Sequence, residues 1–452
     1  MLLSLNALGV VYGDIGTSPL YVMNTIFHDP PSPVDAIGAC SLIIWALIIM
    51  VTLKYIVFIM SADHHNEGGI FALCSLLIKK SSSMHATGKK VVIVLGMIGA
   101  SLLLGDGAIT PAISVISAIE GMAIAYPGLT QYVVPITVII LVLLFLAQPL
   151  GTAKVGTFFG PIVFVWFGFL FGIGVYNVTL EPRALYAFNP WEGLSFFVRH
   201  GPASYFTMGS IFLCVTGMEA MFADMGHFRK GPIRLAWMTV VFPAVVFNYL
   251  GQTAVLILRP EVYSSPFYSS VPHSLYWLIF ALATLAGIIA SQAIITGSFS
   301  VISQAIWLGL SPPFQIKQTS TTVEGQIFIP TVNWTLMIAT IGVVCGFGSS
   351  EAISHAYGVT VCTNEVLSSV LFFLVLKYSW RVQTWKCLPF LLFLFVDGSF
   401  WGAIMAKLPH GGYAAIILSL IFFSVMMIWF VGEKKLRTYR KVHNISTRLE
   451  VL

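Results

Sequence analysis

Gly9-Val10-Val11-Tyr12-Gly13-Asp14-Ile15-Gly16-Thr17-Ser18-Pro19-Leu20-Tyr21 opens as an apolar run and continues as one beyond Tyr21. Between the apolar ends sit an acid, two hydroxyls, two glycines and a proline. In water such a stretch is a loop. In a bilayer, where every backbone N–H and C=O needs a partner, it is a helix broken midway, with the break lining a cavity. The rest of the chain decides between the two.

Of 452 residues, 57% are hydrophobic and only 9% are charged, and the mean hydropathy is +0.89. Soluble domains carry roughly 25% charged residues. A chain so long and so poor in charge cannot cover a water-facing surface, so this is a polytopic membrane protein. Its net charge of +5 is spread over short segments between apolar runs, with no basic domain, and so reports topology rather than a nucleic-acid partner. Six cysteines (Cys40, Cys74, Cys214, Cys345, Cys362, Cys387) lie in or beside apolar runs without C-x-x-C spacing and read as buried thiols. The first run carries Asp14 and lacks a basic leader, so it reads as a retained helix and not a cleaved signal.

A span needs about 20 mainly apolar residues. Runs of that kind fall near 7–27, 36–60, 91–124, 131–148, 154–176, 204–227, 233–258, 273–308, 330–347, 350–376, 387–406 and 412–432, twelve in all. The basic residues test the count. With the N-terminus inside, 18 of the 23 lysines and arginines are cytosolic, from Lys79 and Lys80 to the basic tail. Only Arg183, Arg199, Arg259 and Lys407 lie outside, and Lys54 is left inside the second run, where it is expected to snorkel. Both termini are then cytosolic. The expected domains are a transport unit over 1–432 and a short basic tail over 433–452. The cytosolic string Ala62-Asp63-His64-His65-Asn66-Glu67-Gly68-Gly69 superficially offers metal ligands, but adjacent histidines do not share a helical face, and a polar turn is the plainer account.

Charges in the hydrocarbon are costly, about 2.5–3.5 kcal/mol each on insertion scales. The exceptions here are acids: Asp14, Asp106, Glu219, Asp224, Glu365 and Asp397, a set without evident basic partners. Asp106 and Thr110 are four apart and share a helix face. The sixth run repeats the logic of the first, with Thr216-Gly217-Met218-Glu219 placing hydroxyl, glycine and acid mid-membrane. Runs 1–5 start inside and runs 6–10 start outside, so runs 1 and 6 are equivalent elements of inverted halves. Paired interruptions at equivalent positions point to a midplane site. Asp14 and Glu219 would supply charge there, and Thr110, Thr216 and Tyr21 neutral oxygens. An oxygen-only set suits a hard alkali cation. The plainer alternative is that these acids cap half-helices. Asp224 and His227 belong near the cytosolic mouth, as capping or gating groups. Asp397, on a run outside both halves, reads as structural. Glu120 and Glu351 sit near the outer ends of their helices.

The opening stretch resembles the signature of the KUP/HAK/KT potassium uptake transporters. So do Ile109-Thr110-Pro111-Ala112-Ile113-Ser114, Ala223-Asp224-Met225-Gly226-His227-Phe228, Pro232-Ile233-Arg234 and Ala290-Ser291-Gln292-Ala293, and the similarity spans essentially the whole chain. The resemblance implies an all-α, LeuT-like (amino acid–polyamine–organocation) fold of 12 transmembrane helices, a 5+5 inverted repeat with broken helices 1 and 6. It implies potassium uptake by proton symport across the bacterial inner membrane. It places potassium at Asp14, Tyr21, Asp106, Thr110, Thr216, Glu219 and Tyr357. Two departures stand out: Asp106 replaces a longer glutamate of many members, and the 62–69 string differs from the family's. Members often continue into a cytosolic C-terminal domain, so this chain reads as a short member or a shortened one.

The expectation is therefore secondary active potassium uptake by alternating access, with Asp14, Asp106 and Glu219 as proton-coupling candidates. An amino acid or polyamine transporter of the same fold is the alternative, with a potassium channel behind it. No Thr-Val-Gly-Tyr-Gly filter is present, and neither His-Glu-x-x-His nor Gly-x-Ser-x-Gly speaks for an enzyme. The expected partners are potassium, with rubidium and caesium as analogues, a proton and membrane lipid. A homodimer is admitted; no nucleic acid and no cofactor is expected.

Overall fold

The computed structural model describes residues 2–63, 67–80, 85–150, 153–318 and 327–442. Eleven helices among them are long and apolar enough to cross a membrane. We number these spans 2 to 12: Pro33–Ser61, Ala86–Ala125, Pro127–Ala147, Phe158–Leu180, Ser204–Ala223, Lys230–Leu258, His273–Trp307, Pro330–Phe347, Ser350–Ser379, Trp385–Met405 and Gly412–Arg440. Span 1 is missing from that set because it is broken, into Leu2–Val11, Gly13–Thr17, Ser18–Leu20 and Met23–Thr25. Each piece is too short to cross alone.

The local sequence explains the breaks. In span 1, Tyr12 leaves the helical region, with φ −110° and ψ 9°. Further on, the hydroxyls of Thr17 and Ser18 both donate to the Asp14 carbonyl, at 3.0 and 3.1 Å, as short polar side chains do when they compete with the backbone ladder. Pro19 then brings no N–H of its own. In span 6, Thr216 is extended and Gly217 sits in the left-handed region at φ +89°, a conformation only glycine adopts freely. The breaks fall where the acids and hydroxyls are.

Span 3 is the central post, packed against spans 4, 8, 9, 10 and 12. At 40 residues it exceeds the membrane thickness, and Pro111 within it removes a helical hydrogen bond from the Gly107 carbonyl. Span 1 packs on spans 5 and 8, and span 5 on span 7. Spans 4 and 12 are only 22% and 17% buried, which leaves their apolar sides to lipid. A helix Pro190–His200, capped by Asn189, covers the end of span 2 and fills the aromatic loop before span 6. The string 62–69 is described only at its ends, because His64, His65 and Asn66 lie outside the described residues. Among the described residues no group of three metal-ligating side chains converges.

Candidate functional site

The two breaks meet. Gly217 of span 6 lies so close to Asp14 of span 1 that a Cβ there would stand 2.9 Å from Asp14 Oδ2. The same Oδ2 accepts a hydrogen bond from the Tyr357 hydroxyl of span 10 at 2.6 Å. Asp14 Oδ1 is buried and has no partner. An unshared carboxylate oxygen in a dry site is expensive unless something positive or protic comes to it. Oxygens of neutral groups stand around it. The Ser18 hydroxyl lies 3.3 Å from the Tyr21 hydroxyl and 3.5 Å from the Thr216 hydroxyl, and Thr17 Oγ1 lies 3.4 Å from Ser114 Oγ of span 3. Glycine makes this convergence possible, since a Cβ at Gly13 would come within 2.8 Å of the Ala290 Cα on span 8.

A small cavity of about 30 Å³ adjoins this junction, lined by Asp106, Gly217, Glu219, Asp224, Thr360 and Asn364 among others. Asp106 Oδ1 accepts from Thr110 Oγ1 at 2.7 Å, so the four-residue spacing read from the sequence is realised as a hydrogen bond. Glu219 is held on one side by the Tyr55 hydroxyl of span 2, which donates to Oε1, while Oε2 is buried without a partner. Asn364 Oδ1, on the cavity wall, is likewise unpaired. Among the described residues, each of the two carboxylates beside the breaks thus keeps one oxygen held and one free.

The sequence-predicted residues divide accordingly. Asp14, Tyr21, Thr216 and Tyr357 come together at the junction, and Asp106, Glu219 and Asp224 line one cavity, with Thr110 tied to Asp106. Asp224, only 6% exposed, lies at the end of span 6, beyond Ala223. His227 falls in the short helix Met225–Phe228, and its side chain lies outside the described residues. Glu120 is not merely solvated: it accepts from both the N–H (2.7 Å) and the hydroxyl (2.5 Å) of Ser350, at the start of span 10.

Two expectations are corrected. Lys54 does not snorkel; it is 0% exposed, and its ammonium lies 3.0 Å from Glu365 and 2.8 Å from both oxygens of Asp397. The buried acids therefore do not all lack a basic partner. Ser369 Oγ completes the cluster, donating to Asp397 Oδ2 at 2.5 Å. Tyr55 and this triad are what sequence reading missed. A signal existed, because a lysine in mid-span with two leftover acids elsewhere predicts their pairing.

Two broken helices whose breaks meet, with carboxylates and hydroxyls at the junction, are the arrangement of an all-α, multi-pass membrane transporter. The comparisons fix the family. The family model described as "K+ potassium transporter integral membrane domain" matches residues 1–434. "Probable potassium transport system protein Kup 1" of Geobacter sulfurreducens is 48% identical over 97% of this chain and 70% of its own length. "Probable potassium transport system protein Kup" of Xylella fastidiosa is 45% identical over 98% of this chain and 70% of its own. The chain belongs to this family of potassium transporters. Among solved structures, MhsT in complex with L-phenylalanine superposes with a TM-score of 0.48 at 15% identity, covering 91% of this chain and 98% of that one. The Eremococcus coleocola manganese transporter gives 0.47 at 14%, covering 95% and 94%.

Proposed function

We propose that this chain takes up potassium by alternating access at the junction of spans 1, 3, 6 and 10, in symport with a proton, across a bacterial inner membrane with both termini in the cytosol. The observation that carries this reading is the half-satisfied state of Asp14, with Oδ2 held by Tyr357 and Oδ1 left buried without a partner. A dehydrated alkali cation needs several oxygens at once. Asp14, Tyr21, Thr216 and Tyr357 would give them at the junction, and Asp106, Thr110 and Glu219 beside the cavity.

The loop charges give the cavity its side. The charge split of the loops puts the Asp224 end of span 6 in the cytosol, so the cavity from Asp106 and Gly217 to Asp224 is the inner pathway. Asp224 lines its cytosolic end, and it and the nearby His227 are the gating candidates. Asp14, Asp106 and Glu219 are the groups in reach of the cargo that can also hold a proton. Symport follows when one of these carboxylates carries a proton while the others hold the cation, and both are released inward, the proton leaving toward the alkaline side.

Rubidium uptake into proteoliposomes tests the reading. Uptake that rises when the outside is made acidic relative to the lumen supports symport, and uptake indifferent to the gradient removes it. Competition by polyamines instead of potassium would move the chain to a different cargo. Flux orders of magnitude above a carrier's would make it a channel.

A further inference from the structure

Tyr55 and Lys54 are neighbours on span 2, and between them they link Glu219 to spans 10 and 11. The Tyr55 hydroxyl donates to Glu219 Oε1. The Lys54 ammonium lies 5.3 Å from the centre of the Tyr55 ring, close enough for cation–π attraction. It is pinned there by Glu365 of span 10 and Asp397 of span 11, at 3.0 and 2.8 Å. On its other side the Tyr55 ring meets Phe222 of span 6 edge-on, with centroids 6.4 Å apart. Tyr55, Lys54 and Glu365 are all 0% exposed. This part of span 2, Leu47–Phe58, is wound as a π-helix, a wider turn that proteins retain mostly at functional places.

We propose that Tyr55 and Lys54 are positioning residues for the transported cation: the phenol fixes Glu219 through Oε1 so that Oε2 alone faces the cargo, and the ammonium, anchored to spans 10 and 11, fixes the phenol. Neither residue touches the ion. The assignment rests on the reading above that Glu219 holds the cation. It gives span 11, which lies outside the two repeats, a task in transport through Asp397.

The test is rubidium uptake by purified protein in proteoliposomes, normalised to the amount reconstituted. Tyr55→Phe removes only the hydroxyl, and the fold tolerates it on volume grounds. It is expected to raise the half-saturating rubidium concentration about tenfold with the maximal rate within about twofold, the loss of one charge-assisted hydrogen bond. Lys54→Met with Glu365→Gln removes one charge of each sign and so keeps the net buried charge. This pair is expected to shift half-saturation in the same direction, and adding Tyr55→Phe to it produces no further shift, because both act through one contact. An unchanged half-saturation in Tyr55→Phe overturns the proposal, and additive shifts overturn the part given to Lys54. Glu219→Gln separates the two levels. If it transports like the native protein, the reading of the cation site fails. If it is impaired while Tyr55→Phe is native, only the positioning role fails.

Discussion

Two sets of acids are buried in this protein, and they are treated in opposite ways. Glu365 and Asp397 face a lysine: Asp397 has both oxygens within 2.8 Å of the Lys54 ammonium and takes a further hydrogen bond from Ser369. Asp14 and Glu219 face hydroxyls and keep one oxygen each without a partner. Both sets share the penalty of burial. The first shares a permanent cation, and the second has none and waits for one that comes and goes. An acid that faces a lysine is part of the frame, even where one oxygen stays unpaired as Oε1 of Glu365 does, and an acid held only by hydroxyls is where cargo or proton arrives.

The contrast predicts a hierarchy. Asp14→Asn keeps the shape of the side chain and removes its charge. Rubidium uptake is expected to fall at least about a hundredfold, while size-exclusion chromatography still shows a folded, monodisperse protein. Uptake near the native level would put Asp14 among the helix caps. Lys54→Met leaves two carboxylates buried without their cation and is expected to cost about 3–5 kcal/mol of stability. Thermal unfolding in detergent reads this as a large drop in midpoint, partly regained when Glu365→Gln is added. Asp397→Asn leaves Lys54 paired with Glu365, so the maximal rate of uptake persists, with stability down by about 1–3 kcal/mol. If that variant loses transport as Asp14→Asn does, the division into frame and site fails. Gly217→Ala forces a side chain into the left-handed region beside Asp14, at about 1–2 kcal/mol, and its midpoint falls less than that of Lys54→Met.

The smallest effect concerns a half-buried lysine. Lys407 lies just beyond span 11 and donates to Ser210 Oγ at 2.7 Å, with no carboxylate among the described residues bonded to it, and burial pushes its ammonium down to about 8. The unfolded chain holds this proton up to about 10.4, so between the two values it binds more protons than the folded one. Stability carried by this residue therefore rises as pH climbs from about 8 towards 10, and the penalty is fullest below 8. Lys407→Met removes that rise, visible as a flatter melting midpoint against pH.

Much of the frame was legible from residues alone, because bilayer thickness sets the length of every span and local chemistry sets the breaks. The runs near 330–347 and 412–432 coincide with helices Pro330–Phe347 and Gly412–Val442 at their first residues. Asp106 and Thr110 needed only a four-residue spacing to be paired. Lys54 and Asp397 are 343 positions apart, and Tyr55 and Glu219 are 164 apart. No periodicity reports such contacts, since a tyrosine in an apolar run looks like packing until the neighbouring helix is known. Charge accounting would have found Lys54 and its acids. Nothing local would have found Tyr55.

The glycines of span 1 carry a consequence for descent. A methyl at Gly9 would press within 2.8 Å of the Phe159 backbone, and one at Gly13 within 2.8 Å of Ala290. Hard-core repulsion of this kind does not depend on what the protein carries. A lineage that exchanges its cargo is free to replace Asp14, whereas the glycine ladder beside it must stay. Distant cousins with another substrate are therefore better sought by the spacing Gly9, Gly13, Gly16 than by the acid those glycines frame.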